Sequence, residues 1–256
     1  MTAAPPSHAL RFFPTWWHSS RIRGVTGHLG RTCSTAALRV GDHVGVNEKQ
    51  RRGLLRRAEA ELQQRNQQHG WGSAEARAAR QQLLDLQRST AAEMGLPYAA
   101  PLDLGVTWDA GAPLPFLVAG RRTFVAFYPS DTDPALDGLD PDYIGPQRGV
   151  GVAEFHLATS VKMGSPNDEV LHGHPLWGYG LELYGAHMVV NSPWIRELMD
   201  INRVHRQFSK SRWTDKRHYL LAFHDETVEC VARGVVAWVD LATMSDVIGR
   251  LSRDAL

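Results

Sequence analysis

The sequence predicts an α+β protein: an antiparallel or mixed β-sheet with helices packed against it, preceded by an N-terminal helical hairpin. Three observations lead there. Two stretches before residue 97 repeat apolar residues at helical spacing. The rest of the chain breaks into short β-type runs separated by Pro, Gly and Asp. Those runs do not alternate with helices as a parallel α/β chain requires. With 256 residues, 43% of them hydrophobic, the chain is long enough to bury a sizeable core. The expected division is an extension over residues 1–97, with the hairpin at about 48–94, and an α+β domain over 98–256 that carries the candidate site.

Leu10 to His43 mixes Phe12, Phe13, Trp16 and Trp17 with Gly and Arg and keeps no period, so it reads as irregular, with a short strand near Ala36–Val40. From Glu48 to His69, Leu55, Ala58 and Leu62 recur at helical spacing among Arg, Glu and Gln. Gly70-Trp71-Gly72 interrupts the pattern. Ser73 then caps a second helix carrying Ala76, Ala79, Leu83 and Leu86, which Gly95-Leu96-Pro97 ends. The polar face of this hairpin reads as solvated. Beyond Pro101, Arg122–Tyr128 and Val150–Val161 read as strands joined by a loop over Pro129–Gly149. Asn191-Ser192-Pro193 supplies a cap and a first-turn proline for a helix to about His205, with Trp194, Leu198 and Ile201 on one face. His218–Phe223 and Thr227–Ala232 form a hairpin around His224-Asp225-Glu226; Gly234–Leu241 adds a strand and Ser245–Leu256 a terminal helix.

A formal charge of +1 gives no bias toward polyanions or anionic lipid, so neither nucleic acid nor membrane is indicated as a partner. No run of about eighteen apolar residues is present to span a bilayer. Met1–Pro14 lacks the charged start and apolar run of a signal peptide. Cys33 and Cys230 stand far apart with no histidine at ligand spacing, which points to a reducing, cytoplasmic compartment. Arginine greatly outnumbers lysine, as GC-rich bacterial coding would produce. The expected partner is a small-molecule ligand, and oligomeric state is left open.

The segment from Gly164 to Gly180 combines Asn167, Asp168, Glu169, His172, His174, Trp177 and Tyr179 with glycine and proline, the mixture of a shaped functional loop. In an extended backbone His172 and His174 project to one side and can share a divalent metal. A third and a fourth ligand are needed, and Glu182 or His187 lie close enough in sequence to supply them, with Asp168 or Glu169 as alternatives. The spacing from Glu182 to His187 is too short for a cupin's two motifs, and an amidohydrolase's barrel pattern is missing. His224 and Asp225 offer an acid/base pair if the turn aims them at the loop; the other reading is a polar turn held by Asp225. Tyr184, Asn191 and Arg217 join Asn167, Trp177 and Tyr179 as candidate substrate-binding residues, with Arg217 holding an anionic group. Trp194 and the other aromatics suit either a pocket or the core. Cys230 shares a strand face with Val228 and Ala232 and reads as a core thiol. Neither Ser165 nor Ser192 sits in a G-x-S-x-G elbow.

Three blocks, PNDEVLHGHPL from Pro166, YGAHMVVNSPWI ending at Ile195 and RHYLLAFHDETVECVA from Arg217 to Ala232, resemble an uncharacterised family of bacterial hypothetical proteins. That family carries PNDE-x-LHGHPL, NS-x-W and FHD-x-T-x-EC blocks. The resemblance covers about the second half of the chain and implies that the blocks act as a unit; it implies no reaction.

The leading expectation is an enzyme of small-molecule metabolism, of the kind that performs a biosynthetic tailoring step. His172, His174, Asp168, Glu169, His224 and Asp225 would supply its acid/base chemistry. The alternative is a non-catalytic ligand-binding or protein-interaction module in which the same residues form a buried polar network. A metal-dependent hydrolase or oxygenase is the third.

Overall fold

The computed structural model of the protein describes residues 48–130 and 149–256. The expected strand at Ala36–Val40, the irregular segment around it and most of the loop Pro129–Gly149 lie outside the described residues. Helix α1, Glu48–His69, presents Leu55, Ala58 and Leu62 as a half-buried stripe to helix α2, Ala74–Glu93. Ser73 caps α2, its Oγ accepting the Ala76 N–H at 3.1 Å. An ion pair between Arg51 and Glu93 at 2.9 Å closes the open end of the hairpin. α2 buries Ala76, Ala79, Leu83, Leu84 and Ala91, and it belongs to the same compact unit, Val46–Leu256, as the sheets.

Among the described residues nine strands build two antiparallel sheets. The first contains β1 (Tyr98–Pro101), β5 (Ser160–Gly164), β6 (Ala186–Val190), β7 (Arg217–Ala222) and β8 (Thr227–Ala232), in the order β1-β6-β7-β8-β5. The second contains β2 (Phe116–Ala119), β3 (Thr123–Phe127), β4 (Val150–His156) and β9 (Gly234–Asp240), in the order β2-β3-β4-β9. The sheets face each other across a core of Val125, Phe127, Ala153 and Phe155 from one side and Tyr219, Leu221, Val228 and Cys230 from the other. Trp108 and Phe223 fill its end, ring centres 4.7 Å apart. Helix α4, Met244–Asp254, covers the far face of the second sheet through Val247 and Leu251. Strand β3 is buried along its whole length because both of its faces are covered.

The single strand expected over Val150–Val161 is two strands in different sheets. β4 pairs with β9, and β5 pairs with β8, so two continuous chains run side by side and both change sheets at the same corner. Leu157 makes the bend at φ 49°, and Arg233 turns the partner chain there, its N–H donating to His156 O at 2.9 Å. Leucine is no turn former, so its composition hides the break.

The outer face of the first sheet positions the candidate site. Leu220, Ala222 and Val189 meet Leu171, Leu176 and Leu181 from the segment after β5. That segment opens with a short 3-10 helix, Asp168–Gly173. Helix α3, Pro193–Asn202, follows β6 and contacts β7; it ends before the expected His205.

Candidate functional site

Side chains of paired residues share a sheet face, so the register sets the row His187, Leu220, Glu229, Lys162 across the outer face of the first sheet. His218 lies on the same face, diagonal to Glu229. Glu229 Oε1 is 2.7 Å from Lys162 Nζ, and its Oε2 is 2.7 Å from His218 Nε2, out of line with a straight N–H bond. The other ring nitrogen, His218 Nδ1, is 2.9 Å from Ser192 Oγ. Ser192, His218 and Glu229 are all buried. Burial works against the Glu229 carboxylate, yet His174, His218 and Lys162 together hold its pKa well below the ordinary range.

Ser192 arrives at this chain of contacts because β6 ends at Val190 and Asn191 turns the backbone at φ 54°. Ser192 then caps α3, Oγ accepting the Ile195 N–H at 3.2 Å, and Pro193 takes the first helical position. The hydroxyl hydrogen is thereby free for His218 Nδ1. Trp194 packs edge-on to the His218 ring at 5.1 Å, and Lys162 Nζ lies 4.7 Å over the Trp194 ring. His174 closes the group from the loop: its Nδ1 accepts the Leu176 N–H at 3.1 Å, and its Nε2 is 3.9 Å from Glu229 Oε1.

A second, more open group joins the loop to the β7–β8 turn. Tyr184 donates to Asp168 Oδ2 at 2.5 Å, His224 Nε2 stands 3.7 Å from the same oxygen, and His224 Nδ1 is 2.9 Å from Asp225 Oδ1. The backbone adds an Asp168 N–H bond to His224 O at 2.9 Å. Tyr184 has φ 56° and stacks on His224, ring centres 6.4 Å apart. The Tyr184 hydrogen bond lowers the Asp168 pKa and pushes the phenol up to about 12. Asp225 and then Asp168 raise the His224 pKa. The expected pairing of His224 with Asp225 is therefore present, and it is a local turn contact that also reaches the loop.

The other expected residues are dispersed. The 3-10 helix replaces the extended backbone that would aim His172 and His174 together: His172 lies within the helix, whereas His174 follows it in extended conformation. His172 is exposed, its Nδ1 3.1 Å from Glu169 O. Glu169 is exposed beside it. His187 is buried behind, its Nε2 accepting the Glu182 N–H at 3.2 Å. Among the described residues no group of three His, Cys, Asp or Glu side chains is arranged to hold a metal ion. Asn167 precedes the 3-10 helix without capping it by its side chain. Trp177 and Tyr179 are exposed on the loop. Asn191 donates to Leu96 O at 3.2 Å. Arg217 is occupied by the Thr214 and Lys216 carbonyls at 3.1 and 3.0 Å. Cys230 is fully buried, and burial pushes its thiol up to about 12, as a core residue requires.

The reading from sequence missed Ser192, His218, Glu229 and Lys162 as a set. The signal it had was alternation: with Cys230 facing the core, Glu229 must face the opposite side. Comparisons of the chain with family models, with curated proteins and with solved structures find no match. Among the described residues no helix is long and apolar enough to cross a membrane.

Proposed function

We propose that the protein is an enzyme of small-molecule metabolism, a serine-dependent hydrolase or acyl transferase with Ser192 as nucleophile, His218 as general base and Glu229 as the group that orients the base. The observation that carries this reading is the continuous contact Ser192 Oγ, His218 Nδ1, His218 Nε2, Glu229 Oε2, at 2.9 and 2.7 Å across the ring. A hydroxyl in reach of an imidazole that has a carboxylate beside its other nitrogen is the arrangement nucleophilic catalysis uses, and it recurs on unrelated folds without a shared motif. Lys162 keeps Glu229 ionised and in place.

In the step this arrangement performs, Ser192 Oγ adds to the carbonyl carbon of an ester, thioester or amide while its proton passes to His218 Nδ1. The tetrahedral adduct collapses by breaking the bond to the leaving group, which takes the proton from Nδ1. Water or an acceptor alcohol or amine then repeats the sequence and restores the free serine. The N-terminal end of α3, which Ser192 caps, carries partial positive charge of the sign that stabilises an oxyanion.

The experiment is labelling of the full chain with a fluorophosphonate, read by intact mass and peptide mapping. The expected result is one adduct on Ser192, absent in Ser192→Ala and formed about 100-fold more slowly in His218→Ala. An unlabelled Ser192 in a folded parent overturns the reading.

A second reading, the non-catalytic ligand-binding module, is favoured by the burial of all three side chains and by the capping role of Ser192. There the network holds the loop, and Ser192→Ala costs about 1–2 kcal/mol of stability with no labelling in the parent.

A further inference from the structure

At the opposite end of α3 from Ser192, the chain from Asn202 to Lys216 and the corner residue Arg233 enclose a cavity of about 270 Å³ that opens to solvent. Its walls carry Arg212, Lys216, Arg233 and His205 together with the rings of Phe208 and Trp213, and among the described residues no Asp or Glu lines it. Two of the cations have protein partners that fix them: Arg233 Nε is 2.7 Å from Asp215 Oδ2, and Lys216 Nζ donates to Leu157 O at 2.9 Å. A backbone carbonyl carries no charge to offset Lys216, and the neighbouring carboxylate, Asp215, is already paired with Arg233. Arg212 has no partner among the described residues. His205 Nδ1 accepts the Gln207 N–H at 3.1 Å, which in the neutral ring leaves Nε2 as a donor.

From this we infer a binding site for a small aromatic anion, in which a phosphate or carboxylate head meets Arg212 and Lys216 and a flat ring lies against Phe208 and Trp213. Three cations against one flanking carboxylate leave a local positive excess, although the chain as a whole carries only +1. A guanidinium with no internal partner offers the planar fork that matches an oxyanion. The size agrees, since a cavity of about 150 Å³ holds a benzene ring and the remainder accommodates the head group. Burial lowers the Lys216 pKa, and the neighbouring Arg233 charge acts in the same direction; a bound anion relieves both. The site is independent of Ser192 and stands whether or not Ser192 is a nucleophile.

The test is calorimetric titration of the full chain with phenyl phosphate, benzoate, inorganic phosphate and phenol. Phenyl phosphate or benzoate should bind with sub-millimolar Kd, inorganic phosphate at least about tenfold more weakly and phenol not measurably. Arg212→Ala should weaken the aryl anion about tenfold or more, with an unchanged melting temperature because that side chain has no partner to lose. Phe208→Leu, which keeps an apolar wall, should bring phenyl phosphate down to the level of inorganic phosphate. Absence of binding by both aryl anions at about 10 mM overturns the inference. So does binding that Arg212→Ala leaves unchanged.

Discussion

His187 is fully buried against the loop, and burial followed by the Arg88 charge pushes its pKa down to about 4. The folded protein therefore holds a neutral imidazole where the unfolded chain, near pKa 6.5, takes up a proton. The stability this contributes is complete above about pH 6.5 and is lost as the pH falls toward 4. At pH 4.5 the loss amounts to roughly 2.5 kcal/mol. Urea unfolding of the parent and of His187→Gln at pH 7 and pH 4.5 checks this: the variant should lose less across the same interval by about that amount. Equal losses would remove His187 as the source. At this scale the sequence shows which side chains are titratable but not which neighbours they have. His172 and His174, adjacent on paper, separate on a tight turn, whereas Ser192, His218 and Glu229 meet because strand register brings them together.

The helices follow their sequence signals closely, because caps act locally. Ser73 and Ser192 begin helices through bonds to N–H groups three residues away, and Pro193 sits in the first turn, where no N–H is needed. Ser73→Ala should cost about 1 kcal/mol, read as a lower urea midpoint with unchanged slope. Strands are less local. β4 and β5 read as one run because each half is apolar, and the bend at Leu157 is imposed by pairing with partners in different sheets. Likewise the hairpin's polar face reads as solvated, yet Arg88 and Gln87 turn toward the loop: Gln87 Oε1 accepts the Gly180 N–H at 3.2 Å.

Arg88 ties the molecule together. Its buried guanidinium donates to Ala99 O at 3.0 Å, to Gly180 O at 2.9 Å and to Glu182 Oε2 at 2.6 Å, joining α2, β1 and the site-bearing loop. Gly180 permits this, since its φ of 86° and a Cβ that would meet Arg88 Cγ at 2.5 Å exclude any larger residue. Arg88→Ala strands two buried carbonyls and should destabilise the protein by about 3 kcal/mol, with faster amide hydrogen exchange from Leu176 to Glu182. Unchanged exchange there would mean that the loop is held by its leucines alone.

The sequence by itself determined the class, α+β with an N-terminal helical hairpin. It did so because helical period, strand alternation and capping are written in residues close together in the chain. Three separate segments contribute one part each to the group around Glu229: His174, then Ser192 and Trp194, then His218 and Glu229 itself. Tertiary structure alone decided that these parts touch, that β4 and β5 belong to separate sheets and that a cationic cavity forms at the far end of α3. The first two depend on pairing between segments far apart in sequence, and the third is completed by Arg233 from another part of the chain; no local pattern records such a partner.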